Sequence, residues 1–193
     1  MLEIHFDSFP TLETERLLLR RITKEDAEAL FALRTNPDII RYLDRDRDKD
    51  VAAVMNLIEV MDSSFTSGDG INWGITVRST PSSPSESNSS PLVGVVGLWR
   101  INKANHRGEA GYMLHPRVWG QGIMTEAFQA VLDFGFKVMK LHSVEANTSV
   151  ANTASQALLL KCGFAKEAHF RENWYYNGRF LDSLIFCKLA TDK

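Results

Sequence analysis

Apolar positions along this chain recur with two different periods, and each change of period marks a new element. Glu109–Leu114 is a short apolar-rich run with Gly111 inside it, and it reads as a strand. His115–Gly122 holds one proline and two glycines, the composition of a turn. From Ile123 the apolar residues return every three to four positions, at Ala127, Val131, Phe134 and Val138, which is the stripe of a helix. This unit of strand, glycine turn and helix is the one about which the other elements are arranged.

The same reading extends to both ends. Residues 1–15 read as a loose lead-in, and Arg16–Arg20 as a short strand bracketed by charge. Thr23-Lys24-Glu25-Asp26 resembles a capping box with Asp in the usual place of Glu. It opens a helix carrying Ala27, Leu30, Phe31 and Leu33, which Asn36-Pro37 ends. The mixed charges of Asp44–Asp50 predict a solvated helix start, followed by a helix with Val51, Val54, Met55, Ile58 and Met61 inward. After the turn Ser67–Gly70, Ile71–Arg78 and Pro91–Arg100 read as strands, the second apolar enough to be covered on both faces. Between them Ser79–Pro91 has no aliphatic or aromatic residue and is expected to be a mobile loop inserted in a hairpin. His106–Leu114 is the third consecutive strand. Past the 123–138 helix come a strand at His142–Asn147 and a helix capped by Asn152, with Ala154, Ala157, Leu158 and Lys161 as its stripe and Gly163 as its stop. Phe164–Tyr176 and Phe180–Leu189 form a last hairpin about Asn177-Gly178.

Three meandering strands followed by a strand–helix–strand crossover predict an α/β (α+β) fold. The expectation is one domain over 1–193, core about 14–189, with a mixed, mostly antiparallel sheet of about seven strands and about four helices on both faces. The 193 residues suit one domain, and the 44% apolar and 24% charged fractions are ordinary for a soluble chain. A net charge of −2 gives no bulk attraction to nucleic acid or anionic membrane, so neither is expected as a partner. No apolar run is long enough to span a bilayer, and the start lacks the basic residues and apolar core of a leader. Cys162 and Cys187 lie among apolar residues without a C-x-x-C pattern, which favours two reduced thiols and a cytoplasmic protein while leaving a disulfide open.

The glycine turn is where chemistry enters. The first N–H groups of a helix have no internal partners and carry the positive end of its dipole. Gly120 and Gly122 remove the β-carbons that would keep an anion from them, so a phosphate or diphosphate fits, although a plain tight turn accounts for the glycines as well. Gly120-x-Gly122-x-x-Thr125, with Glu145 about twenty residues on, has two of the three glycines of a dinucleotide fingerprint, but the third is absent and the preceding meander opposes a parallel nucleotide-binding half. His106, His115 and His142 lack metal-ligand spacing, and no metal is expected.

Arg117-x-x-Gly120-x-Gly122 resembles the acetyl-CoA diphosphate loop of the GNAT superfamily, whose pattern is Gln/Arg-x-x-Gly-x-Gly/Ala. Gly111-Tyr112 before it, Asn152-x-x-Ser155 some thirty residues after it, then Lys161-Cys162-Gly163-Phe164 and Gly178-x-x-x-Asp182, are similar to the Rim-type branch, the ribosomal-protein N-terminal acetyltransferases and their relatives. The likeness runs from about Thr14 to Leu189. It implies acetyl-CoA as cosubstrate, with its diphosphate on the backbone N–H groups of Trp119, Gly120, Gln121, Gly122, Ile123, Met124 and Thr125. It also implies pantetheine paired with Met113 and Leu114, Asn152 and Ser155 along the far side of that arm, and a slot where the 106–114 and 142–147 strands splay apart.

The reaction so implied needs few side chains. A neutral amine attacks the thioester, an oxyanion forms beside a backbone N–H near Leu114, and the thiolate leaves. An α-amine with pKa about 7.7–8.0 is roughly a tenth neutral at pH 7, a lysine amine near 10.4 less than about 0.1%. A carboxylate suffices as proton acceptor for the first kind. Glu145 heads the candidates, followed by Glu109 and Glu172, although an ungapped match puts Trp174 in the place that favours Glu172. Ser155 is the candidate donor to the thiolate, or alternatively a serine of the helix's first turn. The tyrosine that some relatives carry four residues later is Leu159 here, and Tyr112 is a hydroxyl-bearing alternative. The expected acceptor is the α-amine of a protein or peptide, with a small amine such as an amino acid or polyamine, or a non-catalytic acetyl-CoA-binding module, as the alternatives. The apolar last hairpin makes a homodimer possible.

Overall fold

A computed structural model describes residues 2–43, 45–78 and 90–192. Its elements follow the change of period seen in the sequence. They are β1 (Leu12–Glu13), β2 (Leu17–Arg21), α1 (Ala27–Thr35), α2 (Pro37–Ile40), α3 (Val51–Ser67), β3 (Ile71–Val77), β4 (Gly94–Asn102) and β5 (Arg107–Leu114). Then come α4 (Ile123–Lys137), β6 (Ser143–Ser149), α5 (Thr153–Lys161), β7 (Ala165–Tyr176) and β8 (Arg179–Leu189). The strands form an eight-stranded sheet in the order β1-β2-β3-β4-β5-β6-β8-β7. Every neighbouring pair is antiparallel except β5 and β6, which α4 connects.

The class is the expected one; the counts are one higher. The added strand is the two-residue β1, and the added helix is α2, which begins at the Pro37 that ends α1. Asn36 serves both: it follows α1, and its side chain accepts the Asp38 N–H at 2.9 Å to cap α2. The Thr23–Asp26 box closes on a short 3₁₀ turn. Asp26 accepts the Thr23 N–H at 2.9 Å and receives both terminal nitrogens of Arg20 at 2.7 and 2.8 Å, so the shorter acid fits because an arginine fills its other lone pairs.

Apolar residues cover both faces of the sheet. On one, α4 and α5 pack over Trp73, Val96, Leu98, Val144 and Phe186; on the other, α1 and α3 pack over Ile22, Leu92 and Val95. Hence β4 is buried on both sides, as its unbroken apolar run predicts. The lead-in is not loose. Phe6 sits 5.5 Å from the ring of Phe134, Phe9 6.0 Å from that of Trp73, and the Trp73 indole donates to the Pro10 carbonyl at 2.7 Å. Leu2, Ile4 and Phe6 alternate with Glu3, His5 and Asp7, but the run is too short to fix an element, so it is their distant partners that show they are core. Met55 and Val138, expected inward, are 40% and 52% exposed: Met55 lies beside the buried Val54–Ile58 line of α3, and Val138 is the residue that follows α4. Both cysteines are buried and unbridged. Of the 79–91 loop, residues 79–89 lie outside the described residues. Asn177 and Gly178, both at positive φ, make the last hairpin turn. No helix among the described residues is long and apolar enough to cross a membrane.

Gly111 positions the strand that matters most below. Trp99 of β4 lays its ring across it, and a β-carbon there would overlap the ring. Gly111→Ala is therefore expected to destabilise the protein by about 1–3 kcal/mol, a fall in Tm of roughly 3–10 °C measured by calorimetry.

Candidate active site

The sheet stops pairing at its centre. β5 and β6 are in register only from Arg107–Glu109 against Ser143–Glu145, and beyond that level they diverge. On the β4 side of β5 the ladder continues to Leu114, and the His115 N–H donates to the Val93 carbonyl at 2.8 Å. Alternation along an antiparallel ladder then directs the backbone groups of Met113 and Gly111 to β4, and those of Tyr112 and Leu114 into the gap. On the far side the Ala190 N–H donates to the His142 carbonyl, and the same alternation turns the backbone groups of Asn147 and Ser149 into the gap. The slot is thus edged by peptide groups from both strands. Leu114 offers its N–H there, because its carbonyl accepts the Trp119 indole N–H at 2.7 Å.

The glycine turn lies at one end of this slot. Gly120 and Gly122 have φ of 73° and 74°, the left-handed region in which a β-carbon is strained. A β-carbon on Gly120 would meet nothing within 4 Å, so this side of the turn is open. Gly122 caps α4 without a side-chain hydrogen bond, whereas Asp50 caps α3 and Asn152 caps α5 with theirs. The first N–H groups of α4 therefore face an open cradle with a positive dipole end, which fits a diphosphate.

At the other end, α5 brings a hydroxyl to β5. The Asn152 side chain accepts the Ser155 N–H at 3.1 Å, fixing the first turn of α5. The Ser155 Oγ lies 2.8 Å from the Tyr112 hydroxyl. The Tyr112 ring also packs at a tilt against Phe128, centroids 5.2 Å apart, so the residue meets the core with its ring and α5 with its hydroxyl. Burial pushes its phenol up to about 12, so at neutral pH it is an uncharged donor.

These features share one cleft of about 470 Å³. Its walls hold Met113, Leu114, Trp119, Gly120, Gly122, Ile123, Met124, Thr125, Asn152 and Ser155 of the residues expected at the coenzyme; Gln121 is not among them and turns its carbonyl to Arg16 instead. The α5 stripe of Ala154, Ala157, Leu158 and Lys161 lines it too, Leu158 also packing against the core. The remaining wall comes from Asp38, Ile39, Arg41, Tyr42 and Leu43, which carry no sequence signal because only the fold brings α2 to the slot.

The glutamates stand elsewhere. Glu109 and Glu145 face each other at the last paired level of β5 and β6, on the side of the sheet opposite Tyr112. Glu145 is bound to Arg107, and Glu109 to Arg100 at 2.8 Å. Glu172 lies at a bulge in β7 with φ 52°, and its N–H donates to Asp182, which also bonds His169 at 2.7 Å. None of the three lines the cleft. Among the described residues no group of three or more His, Cys, Asp or Glu is placed to hold a metal ion.

A profile described as "Acetyltransferase (GNAT) domain" matches residues 16–165. The uncharacterized N-acetyltransferase YoaA of Bacillus subtilis (strain 168) is 34% identical over 178 residues, 92% of this chain and 96% of its own. Among solved structures, the ribosomal-protein-S5-alanine acetyltransferase from Vibrio fischeri superposes with a TM-score of 0.80 at 22% identity, covering 95% of this chain and 98% of that one. The spermidine N-acetyltransferase from Vibrio cholerae, crystallised with CoA and spermine, superposes with a TM-score of 0.78 at 22% identity, covering 93% and 98%. The two structural likenesses speak for the fold; the profile and the near-full-length relative place this chain in the GNAT family, as an N-acetyltransferase dependent on acetyl-CoA.

Proposed function

We propose that this enzyme acetylates the α-amine of a protein or peptide. The observation that carries the reading is the slot itself: peptide groups of Tyr112 and Leu114 face the gap beyond the last paired level of β5 and β6, with the glycine turn and the Tyr112–Ser155 pair beside it and Glu109 and Glu145 at that last level. Acetyl-CoA supplies the activated acyl group. The Leu114 N–H meets the oxygen that gains charge as the amine adds to the thioester carbon. The N–C bond forms, the C–S bond breaks, and the proton lost by the nitrogen passes, directly or through water, to a carboxylate. Glu145 is the first choice, with Glu109 beside it and Glu172 third. With the Tyr112 hydroxyl donating to the Ser155 Oγ, one of the two directions open to this pair, the Ser155 hydroxyl hydrogen is left for the departing sulfur. No strong base is needed for an amine that is already roughly a tenth neutral at pH 7. Trp119–Thr125 and Asn152 complete the coenzyme site, and the compartment in which this chemistry fits is the cytoplasm.

A second reading, a polyamine acceptor, draws on the Asp38 carboxylate in the cleft wall, which suits a cationic chain. Thiol release measured with a panel of acceptors separates the readings. Peptides with an unblocked N-terminus are expected to support release, and the same peptides blocked at the N-terminus are not. Preference for spermidine over peptides would shift the assignment to the second reading. Coenzyme binding with no release by any acceptor would leave a non-catalytic binding module.

Ser155→Ala and Tyr112→Phe are expected to lower kcat by about 10²-fold and about tenfold respectively, while the acetyl-CoA dissociation constant stays within about twofold. An unchanged kcat in both would remove the hydroxyl pair from the reaction. Tyr112 also gives a direct spectroscopic check. Titration at 295 nm of the folded protein is expected to show one phenol ionising near pH 12, well above the ordinary value of about 10, and the late step disappears in Tyr112→Phe. Because the raised value stabilises the neutral form in the native state, its contribution to stability is present below pH about 10 and is lost as the pH climbs toward about 12.

A further inference from the structure

Behind the open side of the glycine turn stands an arginine from the other end of the chain. Arg16, just before β2, donates through one terminal nitrogen to the Gln121 carbonyl at 2.9 Å. A peptide unit is planar and trans, so a carbonyl held to one side fixes the next N–H on the opposite side. Arg16 therefore aims the Gly122 N–H away from itself. The other terminal nitrogen would stand 3.5 Å from a β-carbon on Gly122, and nothing lies within 4 Å of one on Gly120: the guanidinium backs the turn, and the opposite side is open.

The same side chain deals with a charge. Glu126 is in the first turn of α4, where an unpaired carboxylate would repel a diphosphate bound at that helix end. Its oxygens accept from the Thr14 hydroxyl at 2.5 Å and from the Arg16 backbone N–H at 3.0 Å. The Arg16 Nε and a terminal nitrogen both approach it at 2.6 Å. A fork of this kind engages a carboxylate and a carbonyl together, which a lysine cannot do with the same geometry.

We infer that Arg16 is a positioning residue for the coenzyme's diphosphate, acting through the Gln121–Gly122 peptide and through neutralisation of Glu126. This rests on the coenzyme reading above, and the test is chosen to tell the two apart. Dissociation constants for coenzyme A are measured by calorimetry, and for pantetheine, which lacks the diphosphate, by NMR titration. Arg16→Met is expected to weaken coenzyme A by about tenfold (~1.4 kcal/mol) and to leave pantetheine within about twofold. A role confined to stability would weaken both alike or neither, and either result overturns the inference. Should Arg16→Met fail to fold, Arg16→Lys reads the same ratio, with a loss of several-fold for coenzyme A alone. If the wild-type protein does not bind coenzyme A, the coenzyme reading fails with it; if the wild type binds and Arg16→Met binds equally well, only this inference fails.

Discussion

The site depends on two neighbouring strands that part company. A peptide N–H or C=O removed from water must be paired, and most of this sheet satisfies that demand with its own ladders. Past Glu109 and Glu145 it cannot, because β6 follows β8 while β5 follows β4. The wedge is visible: the chain leaves β6 at Ser149, turns through Asn152, and places the first turn of α5 against Tyr112. What results is a row of backbone donors and acceptors with no internal strand to meet them. An extended ligand with amide groups of its own is the natural complement, on the same principle by which a peptide adds to a sheet edge.

The electrostatics follow from backbone too. The chain carries a net charge of −2 and no basic run, yet belongs to a family whose cosubstrate is strongly anionic. In the proposed site the attraction is local: oriented peptide groups at the start of α4, exposed by two residues in the left-handed region, would supply it. Of the side-chain charges near the turn, Arg16 and Glu126 pair with each other within the fold. Composition is a poor guide to an anion site of this kind, since the partial charges that bind belong to every sequence and only the turn geometry uncovers them.

This difference separates what the sequence disclosed from what it hid. The strand, turn and helix of 109–137 were legible because period and glycine placement are local properties, and so were the cap at Asn152 and the Asn177-Gly178 hairpin. The packed lead-in was hidden, because Phe6 and Phe9 find Phe134 and Trp73 across more than sixty positions of chain. Arg16 and Glu126 are likewise 110 positions apart, and each alone reads as a solvated charge. The α5 stripe was legible but its meaning was not: apolar periodicity shows that a face is covered, without saying whether protein or ligand covers it. Tyr112 was an ambiguity of the same kind: its ring packs against Phe128 and its hydroxyl meets Ser155, a pairing that no local property of the sequence shows.

Alternation along β5 carries one further consequence for the proposed chemistry. Residues 110, 112 and 114 face α4 and α5, while 109, 111 and 113 face the layer of α1 and α3. The hydroxyl pair Tyr112–Ser155 and the carboxylates Glu109 and Glu145 are therefore on opposite sides of one sheet. For an acyl transfer this arrangement separates two proton-handling tasks that would cancel if they shared a pocket: a carboxylate beside the departing thiolate would oppose its charge, and a neutral phenol beside the incoming amine would accept no proton. In the proposed chemistry a period of two, the simplest property of a strand, would put the incoming nitrogen and the leaving sulfur on different faces. The thioester carbon can meet both only where the sheet is open.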